Sequence, residues 1–132
     1  MIFTLRLQTI ATMATLAAAN TVLAQEAPNY SRDVAPILQA KCASCHNPEG
    51  IGPMPLLTYE QVRPFALLIK DRTSKRIMPP WHLDPTVGIQ EFKNDMSLTE
   101  VQIDTIGAWA DAGAPEGDRA DLPVPMEIVT GG

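Results

Sequence analysis

The chain has 132 residues, of which 45% are hydrophobic, and its formal net charge at pH 7 is −5. This length supports one domain and lies at the small end for a self-sufficient core. The acidic balance disfavours nucleic-acid binding, so we expect no nucleic-acid partner.

The first 24 residues are typical of an export signal. Arg6 precedes an apolar run that threonines interrupt, and the run ends in Val22-Leu23-Ala24, which suits signal peptidase. A membrane anchor is the alternative, but the run is short for a span. We predict cleavage after Ala24, which removes Arg6, changes the net charge from −5 to −6 and leaves no membrane span.

The rest of the chain is predicted to form one domain between two irregular segments. Residues 25–30 have the composition of a linker, and residues 114–132 that of a C-terminal tail rich in Pro, Gly and Asp. Residues 31–113 show three helical patterns and very little strand signal. We therefore predict an all-α fold.

The first two helices have recognisable starts. Ser31 is the predicted N-cap of a helix that carries Val34, Ile37 and Leu38 on one face and runs into Cys42. The second helix begins with Thr58-Tyr-Glu-Gln61, which fits a capping box, and Pro64 predicts that it bends or starts later.

The third helix has both a start and a stop signal. Ser97-Leu-Thr-Glu100 fits a second capping box, and Gly113 followed by Pro115 is typical of a helix end. Between them lies an apolar stripe that includes Trp109.

Both cysteines of the chain lie in Cys42-Ala-Ser-Cys45-His46. This Cys-x-x-Cys-His pattern is the attachment signature of c-type haem. Two thiols one helical turn apart add to the porphyrin vinyl groups as thioethers, and the adjacent histidine becomes the proximal iron ligand. We predict one covalently bound haem c, attached through Cys42 and Cys45 and ligated by His46.

The two cysteines have three alternatives to haem attachment: a disulfide, a thioredoxin-like motif and a zinc site. A disulfide across two residues is strained and closes almost no loop, and a thioredoxin-like motif needs a βαβ context that the patterns do not indicate. A zinc site with His82 would require Cys45 and His46, which are adjacent, to ligate one ion. Two free thiols are not expected to persist in an oxidising compartment.

The sixth iron ligand is predicted to be Met78. It lies 32 residues after His46 and is followed by Pro79-Pro80, which restrict the backbone and hold a weak thioether ligand in place. The remaining candidates in the mature chain are Met54, Met96, Met126 and His82.

Over about residues 31–113 these motifs resemble those of bacterial class I cytochromes c. The resemblance implies about three main helices and long loops wrapped around one haem. It implies that Pro53, in Gly52-Pro53, accepts a hydrogen bond from His46 Nδ1. It places the axial methionine at Met78 and packs Trp109 where the first and last helices cross.

A haem with histidine and methionine ligands is closed to substrate and moves one electron. The resemblance therefore implies a periplasmic electron carrier, not itself an enzyme, with redox partner proteins: a dehydrogenase as donor and an oxidase or cytochrome as acceptor. One alternative is a subunit of a larger periplasmic oxidoreductase, with the 114–132 tail lying across the partner. Another is an open-site haem enzyme or gas binder, for which His82 and Glu60 are the only distal candidates.

A basic run precedes Met78, comprising Lys70, Arg72, Lys75 and Arg76. It is consistent with a solvated helix end, with Arg72 or Arg76 pairing with haem propionates, or with a docking patch for an acidic partner. Trp81 is predicted to donate its indole N–H to a propionate or to cover the distal haem face. For His82 we prefer an ordinary loop histidine.

Overall fold

The computed structural model describes residues 26–80, 84, 86–88 and 92–125. Within this part of the chain the secondary structure is helical and contains no strand, which confirms the all-α class. The α-helices are α1 (Ala35–Lys41), α2 (Tyr59–Val62), α3 (Ala66–Ser74) and α4 (Glu100–Asp111). The predicted signal segment, Trp81, His82 and Met126 lie outside the described residues.

A π-helical turn, Tyr30–Val34, leads into α1. Its N-cap is Asn29, whose Oδ1 accepts from Arg32 N at 2.9 Å, while Asn29 N donates to Asp33 Oδ2 at 2.8 Å. Ser31, the predicted cap, is instead buried, and its hydroxyl has no hydrogen-bond partner among the described residues. The prediction of Ser31 was wrong because Asn29 caps this turn. Its two hydrogen bonds satisfy the backbone N–H groups of Asn29 and Arg32.

The second helical segment is bent. Thr58 and Gln61 form the predicted capping box at the start of α2. A 3₁₀ turn, Arg63–Phe65, follows directly and contains Pro64 before the chain continues as α3. The proline lacks the N–H that a continuous α-helix would require, so the predicted bend is confirmed.

The last helix starts two residues later than predicted. Thr99 is its N-cap and forms a capping box with Gln102, which replaces the predicted box at Ser97. The choice follows from the flanking apolar residues: Leu98 is buried next to half-buried Ile103, the pair that forms a hydrophobic staple when Thr99 is the cap. A cap at Ser97 would give the second staple position to Val101, which is 74% exposed.

Trp109 is the centre of the core. Its side chain is fully buried, its ring lies 6.3 Å from the Tyr30 ring in the first helical segment, and Nε1 donates to Pro115 O at 2.9 Å. This contact between the last and first helical segments agrees with the predicted packing of Trp109. The core also includes the fully buried side chains of Val34, Leu38, Val62 and Ile106.

Part of the predicted tail packs against the domain. Tyr30 N donates to Pro115 O at 2.9 Å, and Tyr59 Oη donates to Ala114 O at 2.8 Å. Further along, Gln39 Nε2 donates to Val124 O at 2.8 Å. The packed structure therefore extends past residue 113. None of the helices in the described residues is long and apolar enough to cross a membrane.

Candidate functional site

The two cysteines and the histidine lie in the turns that directly follow α1. Cys42 N donates to Leu38 O at 2.8 Å, and Cys45 N and His46 N both donate to Cys42 O, at 3.1 and 2.8 Å. The backbone therefore continues in helical turns through the motif, and the two cysteines stand one turn apart. The two cysteines do not form a disulfide. This is the spacing that two thioether bonds to one porphyrin require.

The thiol of Cys42 is poorly suited to redox exchange. Burial, with a smaller contribution from the charge of Cys45, raises the pKa of Cys42 to about 11. A thiol with so high a pKa is scarcely ionised near neutral pH, and the thiolate is the nucleophile in thiol–disulfide exchange. The thioredoxin-like alternative loses support on this ground. In the described part of the chain, moreover, no group of three or more His, Cys, Asp or Glu side chains could hold a metal ion.

The imidazole of His46 is held in one orientation. Its Nδ1 lies 2.9 Å from Met54 O. Because a carbonyl oxygen can only accept, Nδ1 carries the proton and the lone pair lies on Nε2. This is the tautomer that ligates a metal through Nε2, and the bond to Nδ1 makes the ring a better donor.

The acceptor is Met54, one residue after the predicted Pro53. Two hydrogen bonds shape this loop: Gly52 N donates to Cys45 O at 2.8 Å, and Leu56 N donates to His46 O at 2.9 Å. Between these two points the chain passes along the imidazole, and the carbonyl of Met54 is the one that reaches Nδ1. Pro53 is exposed. The prediction of Pro53 was therefore wrong by one position.

Two glycines let the loop approach the motif closely, and sequence reasoning missed this function. A Cβ at Gly52 would lie 2.7 Å from His46 Nδ1, and one at Gly50 would lie 2.1 Å from Cys45 O. Neither contact is sterically possible, so both positions require glycine. The signal in the sequence was the pair of glycines within six residues after His46.

Met78 lies at the end of α3, beside the start of α4. Ile77 N and Met78 N both donate to Arg72 O, at 2.9 and 3.1 Å. The Met78 side chain, 38% exposed, borders a small cavity that Ser97 and Leu98 also line. Met54, by contrast, packs its side chain against the core, so it is a poor candidate for the sixth ligand.

The loop before α4 contacts both halves of the candidate site. Asp95 O accepts a hydrogen bond of 2.8 Å from Lys41 Nζ, and Lys41 immediately precedes Cys42. Three residues further on, Leu98 lines the cavity beside Met78. This short loop connects the attachment motif with the methionine that follows α3.

Several apolar side chains near these residues are exposed. Ile51, on the loop that packs against His46, is 86% exposed, and Leu68 and Ile77, which precede Met78, are 41% and 45% exposed. Exposed apolar side chains are chemically suited to contact with an apolar ligand. An apolar macrocycle attached at Cys42 and Cys45 is chemically suited to them, so the residues present fit a haem.

The basic run before Met78 is largely paired within the chain. Lys70 Nζ lies 2.5 and 2.6 Å from the two carboxylate oxygens of Asp111. Further ion pairs join Lys75 to Asp71 and Arg76 to Glu100. The docking-patch prediction therefore finds no support in the geometry.

The two arginines differ in what they contact. Arg76 Nη1 donates to Leu98 O at 3.3 Å and Nη2 pairs with Glu100, so its guanidinium is engaged with α4 and not free to bind a propionate. Within the described residues the Arg72 side chain has one ion pair, between Nε and Asp71 Oδ2 at 3.9 Å, and it is 48% exposed. Arg72 remains the candidate for a propionate, whereas the assignment of Arg76 is replaced by this contact with α4.

The described structure also contains a larger cleft. It has a volume of about 570 Å³ and runs between α1, α2 and the C-terminal segment. Ala43 of the attachment motif lines it, whereas Cys42, Cys45, His46 and Met78 are not among its described lining residues. Glu60, the predicted distal acid of an open-site enzyme, borders this cleft and pairs with Arg119.

No protein-family model matches the chain, no curated protein matches it, and no solved structure matches it.

Proposed function

We propose that this protein is an electron carrier that holds one haem c covalently through Cys42 and Cys45, with His46 as an axial ligand. The observation that carries the proposal is the orientation of His46 at the end of the turn that bears both thiols. Its Nδ1–H donates to Met54 O at 2.9 Å, which leaves Nε2 as the ligating nitrogen.

Met78 is the proposed second axial ligand. The end of α3 fixes its backbone through Arg72 O, and the adjacent prolines restrict the chain that follows. A haem iron with one histidine and one thioether ligand supplies one-electron transfer at a comparatively high potential. With both axial positions filled by protein side chains, the site excludes substrates that need direct contact with iron.

The surrounding residues fit this function. Ile77, which precedes Met78 in the chain, is exposed, as are Leu68 in α3 and Ile51 on the loop that orients His46. An apolar shell disfavours the extra positive charge of ferric iron, which raises the potential further. The fold that goes with this proposal is that of a class I cytochrome c, and its location is the periplasm after export. The donor would be a dehydrogenase, and the acceptor an oxidase or another cytochrome.

A second candidate function is that of an electron-transfer subunit in a larger oxidoreductase. The observation that favours it is the C-terminal segment, where Leu122 is 42% and Val124 88% exposed although the chain before them packs against the domain. Such side chains on a fixed segment suit contact with another protein. Native purification separates the candidates: a stable complex supports the subunit, and a monomer that exchanges electrons with added partners supports the free carrier.

The proposal is tested by absorption spectra of the holoprotein, oxidised and reduced, for wild type, Met78→Ala and Met96→Ala. Met96 is the matched control because it is half-buried and immediately precedes the loop residues that contact Met78. We expect the weak long-wavelength band of methionine–iron ligation in wild type and Met96→Ala, and its loss in Met78→Ala. A wild-type protein that is high-spin or binds carbon monoxide at once would reject His46/Met78 ligation.

A further inference from the structure

Helix α3 ends in a Schellman motif in which an arginine occupies the position that glycine usually takes. Ile77 N donates to Arg72 O at 2.9 Å and Arg76 N to Thr73 O at 3.0 Å, the two bonds that define this helix end. Arg76 has φ 53°, in the left-handed region that a side chain with a Cβ disfavours. Glycine would adopt this backbone more easily, so the arginine side chain must contribute something that glycine cannot.

The Arg76 side chain joins the end of α3 to the start of α4. Nη1 donates to Leu98 O at 3.3 Å, and Nη2 pairs with the carboxylate of Glu100. Leu98 is buried beside the N-cap of α4, and Glu100 is the first residue of that helix. One guanidinium therefore bonds two groups that belong to a fixed helix start.

This contact lies two residues before Met78. The Met78 side chain shares its small cavity with Leu98 and with Arg76 itself. Any movement of the Ile77–Met78 segment away from α4 must break the bonds of Arg76 or bend the chain between them. The segment that carries the methionine is thus tied to α4 by a side chain, in addition to its backbone bonds to Arg72 O.

We infer that Arg76 is a positioning residue for Met78: its bonds to Leu98 O and Glu100 hold the methionine segment against α4 and keep the thioether in place. This inference rests on the proposed function, because it assigns a consequence to Met78 as an iron ligand. A thioether is a weak ligand, and its retention depends on how much free energy is needed to move its segment away. Arg76 raises that free energy.

The test uses the oxidised holoprotein and imidazole, a ligand that competes with Met78. Arg76→Gly keeps a residue suited to the left-handed backbone but removes both side-chain bonds, and we expect imidazole to bind about five- to tenfold more tightly. Glu100→Gln retains the bond to Leu98 O, and we expect a change of about two- to threefold. Lys75→Ala is the matched control: it removes an adjacent cation that pairs with Asp71 within α3, and imidazole affinity should stay within a factor of about 1.5.

Denaturant unfolding of the same variants distinguishes positioning from general stability. Glycine relieves the backbone at position 76, so the unfolding midpoint of Arg76→Gly should remain close to that of Lys75→Ala while its imidazole affinity rises. Equal imidazole affinity in Arg76→Gly and Lys75→Ala would overturn the inference. Glu100→Gln gives the same comparison if the glycine variant does not fold.

Hydrogen exchange separates failure of this inference from failure of the proposed function. A wild-type spectrum without the methionine–iron band rejects His46/Met78 ligation. The position of the segment is then read from the Ile77 and Met78 amides, which donate to Arg72 O. Faster exchange in Glu100→Gln than in Lys75→Ala supports the tie to α4, and equal exchange contradicts it.

Discussion

Gly52→Ala tests whether the close approach of the proximal loop orients His46. A Cβ at this position would lie 2.7 Å from Nδ1, which is 0.7 Å closer than the 3.4 Å at which ordinary contact begins. A shift of that size away from Met54 would lengthen the 2.9 Å bond between Nδ1 and Met54 O to about 3.6 Å, beyond hydrogen-bonding distance. Overpacking costs about 1–3 kcal/mol and the lost hydrogen bond about 1 kcal/mol.

We therefore expect the free energy of unfolding of Gly52→Ala to fall by about 2–4 kcal/mol. The assay is guanidinium unfolding of the holoprotein followed by far-ultraviolet circular dichroism. Gly107→Ala is the matched control, because no heavy atom lies within 4 Å of its added Cβ in the middle of α4. Alanine is the better helix former, so this control should gain about 0.5–1 kcal/mol.

The same variant has a second readout in the reduction potential. Without the bond to Met54 O, the His46 imidazole is a poorer donor and stabilises ferric iron less, so the potential should rise. A Gly52→Ala protein that unfolds within about 0.5 kcal/mol of wild type and keeps its potential would refute the close-packing argument.

Two further predictions concern the helix start and the core. Thr99→Ala removes the side-chain cap of α4 and should lower the free energy of unfolding by about 1 kcal/mol. The buried hydroxyl of Ser97 has no partner in the described structure, so Ser97→Ala should leave the free energy of unfolding unchanged or raise it. Denaturant unfolding of both variants tests this, and equal losses would contradict the cap assignment. Burial, reinforced by the charges of Glu60 and Glu116, raises the pKa of Tyr30 to about 12 from 10. The folded protein thus keeps a proton that the unfolded chain releases near pH 10, so stability should be complete below pH 10 and fall by up to roughly 2–3 kcal/mol towards pH 12. Tyr30→Phe should abolish this part of the pH dependence, and an unchanged slope would refute it.

The sequence was sufficient where a structural element depends on neighbours in the chain. The capping box from Thr58 to Gln61 needs only residues within one turn, as does the stop at Gly113, where φ is 87°. The bend at Pro64 follows from a missing N–H. Each of these was predicted correctly because no distant contact enters the choice.

The sequence was insufficient where two local solutions compete. Ser97 and Thr99 both begin a motif that fits a capping box, and the propensities of the two caps are similar. The packing of Leu98 and Ile103 decides in favour of Thr99. Ser31 is a second example. Its hydroxyl would suit an N-cap, but the C-terminal segment covers this residue, and Ser31 N donates to Glu116 O at 2.8 Å.

The charge pattern along the chain, for a related reason, does not show which cations are paired in the folded protein. The run from Lys70 to Arg76 is basic along the chain, but two of its cations pair with another helix: Asp111 is 41 residues from Lys70, and Glu100 is 24 residues from Arg76. Local charge alone left a docking surface among three alternatives for this run, whereas the folded chain pairs Lys70, Lys75 and Arg76 within the protein. An exposed ion pair such as Lys75–Asp71 contributes little stability, so its main effect is on which charges remain available to a partner.

The two proposed iron ligands differ in how far along the chain the residues that position them lie. Three features that orient His46 lie within nine residues of Cys45: the turn through the motif, the glycines that pack beside it and the carbonyl of Met54. A motif this compact predicts its chemistry from neighbouring residues alone, and no family model matches the chain. The placement of Met78 depends instead on how the end of α3 meets the start of α4, a contact that Arg76 makes across 24 residues of sequence. Haem attachment is therefore a prediction that needs only a few adjacent residues, whereas the side chain proposed to hold the second ligand could be found only from the packing of two helices.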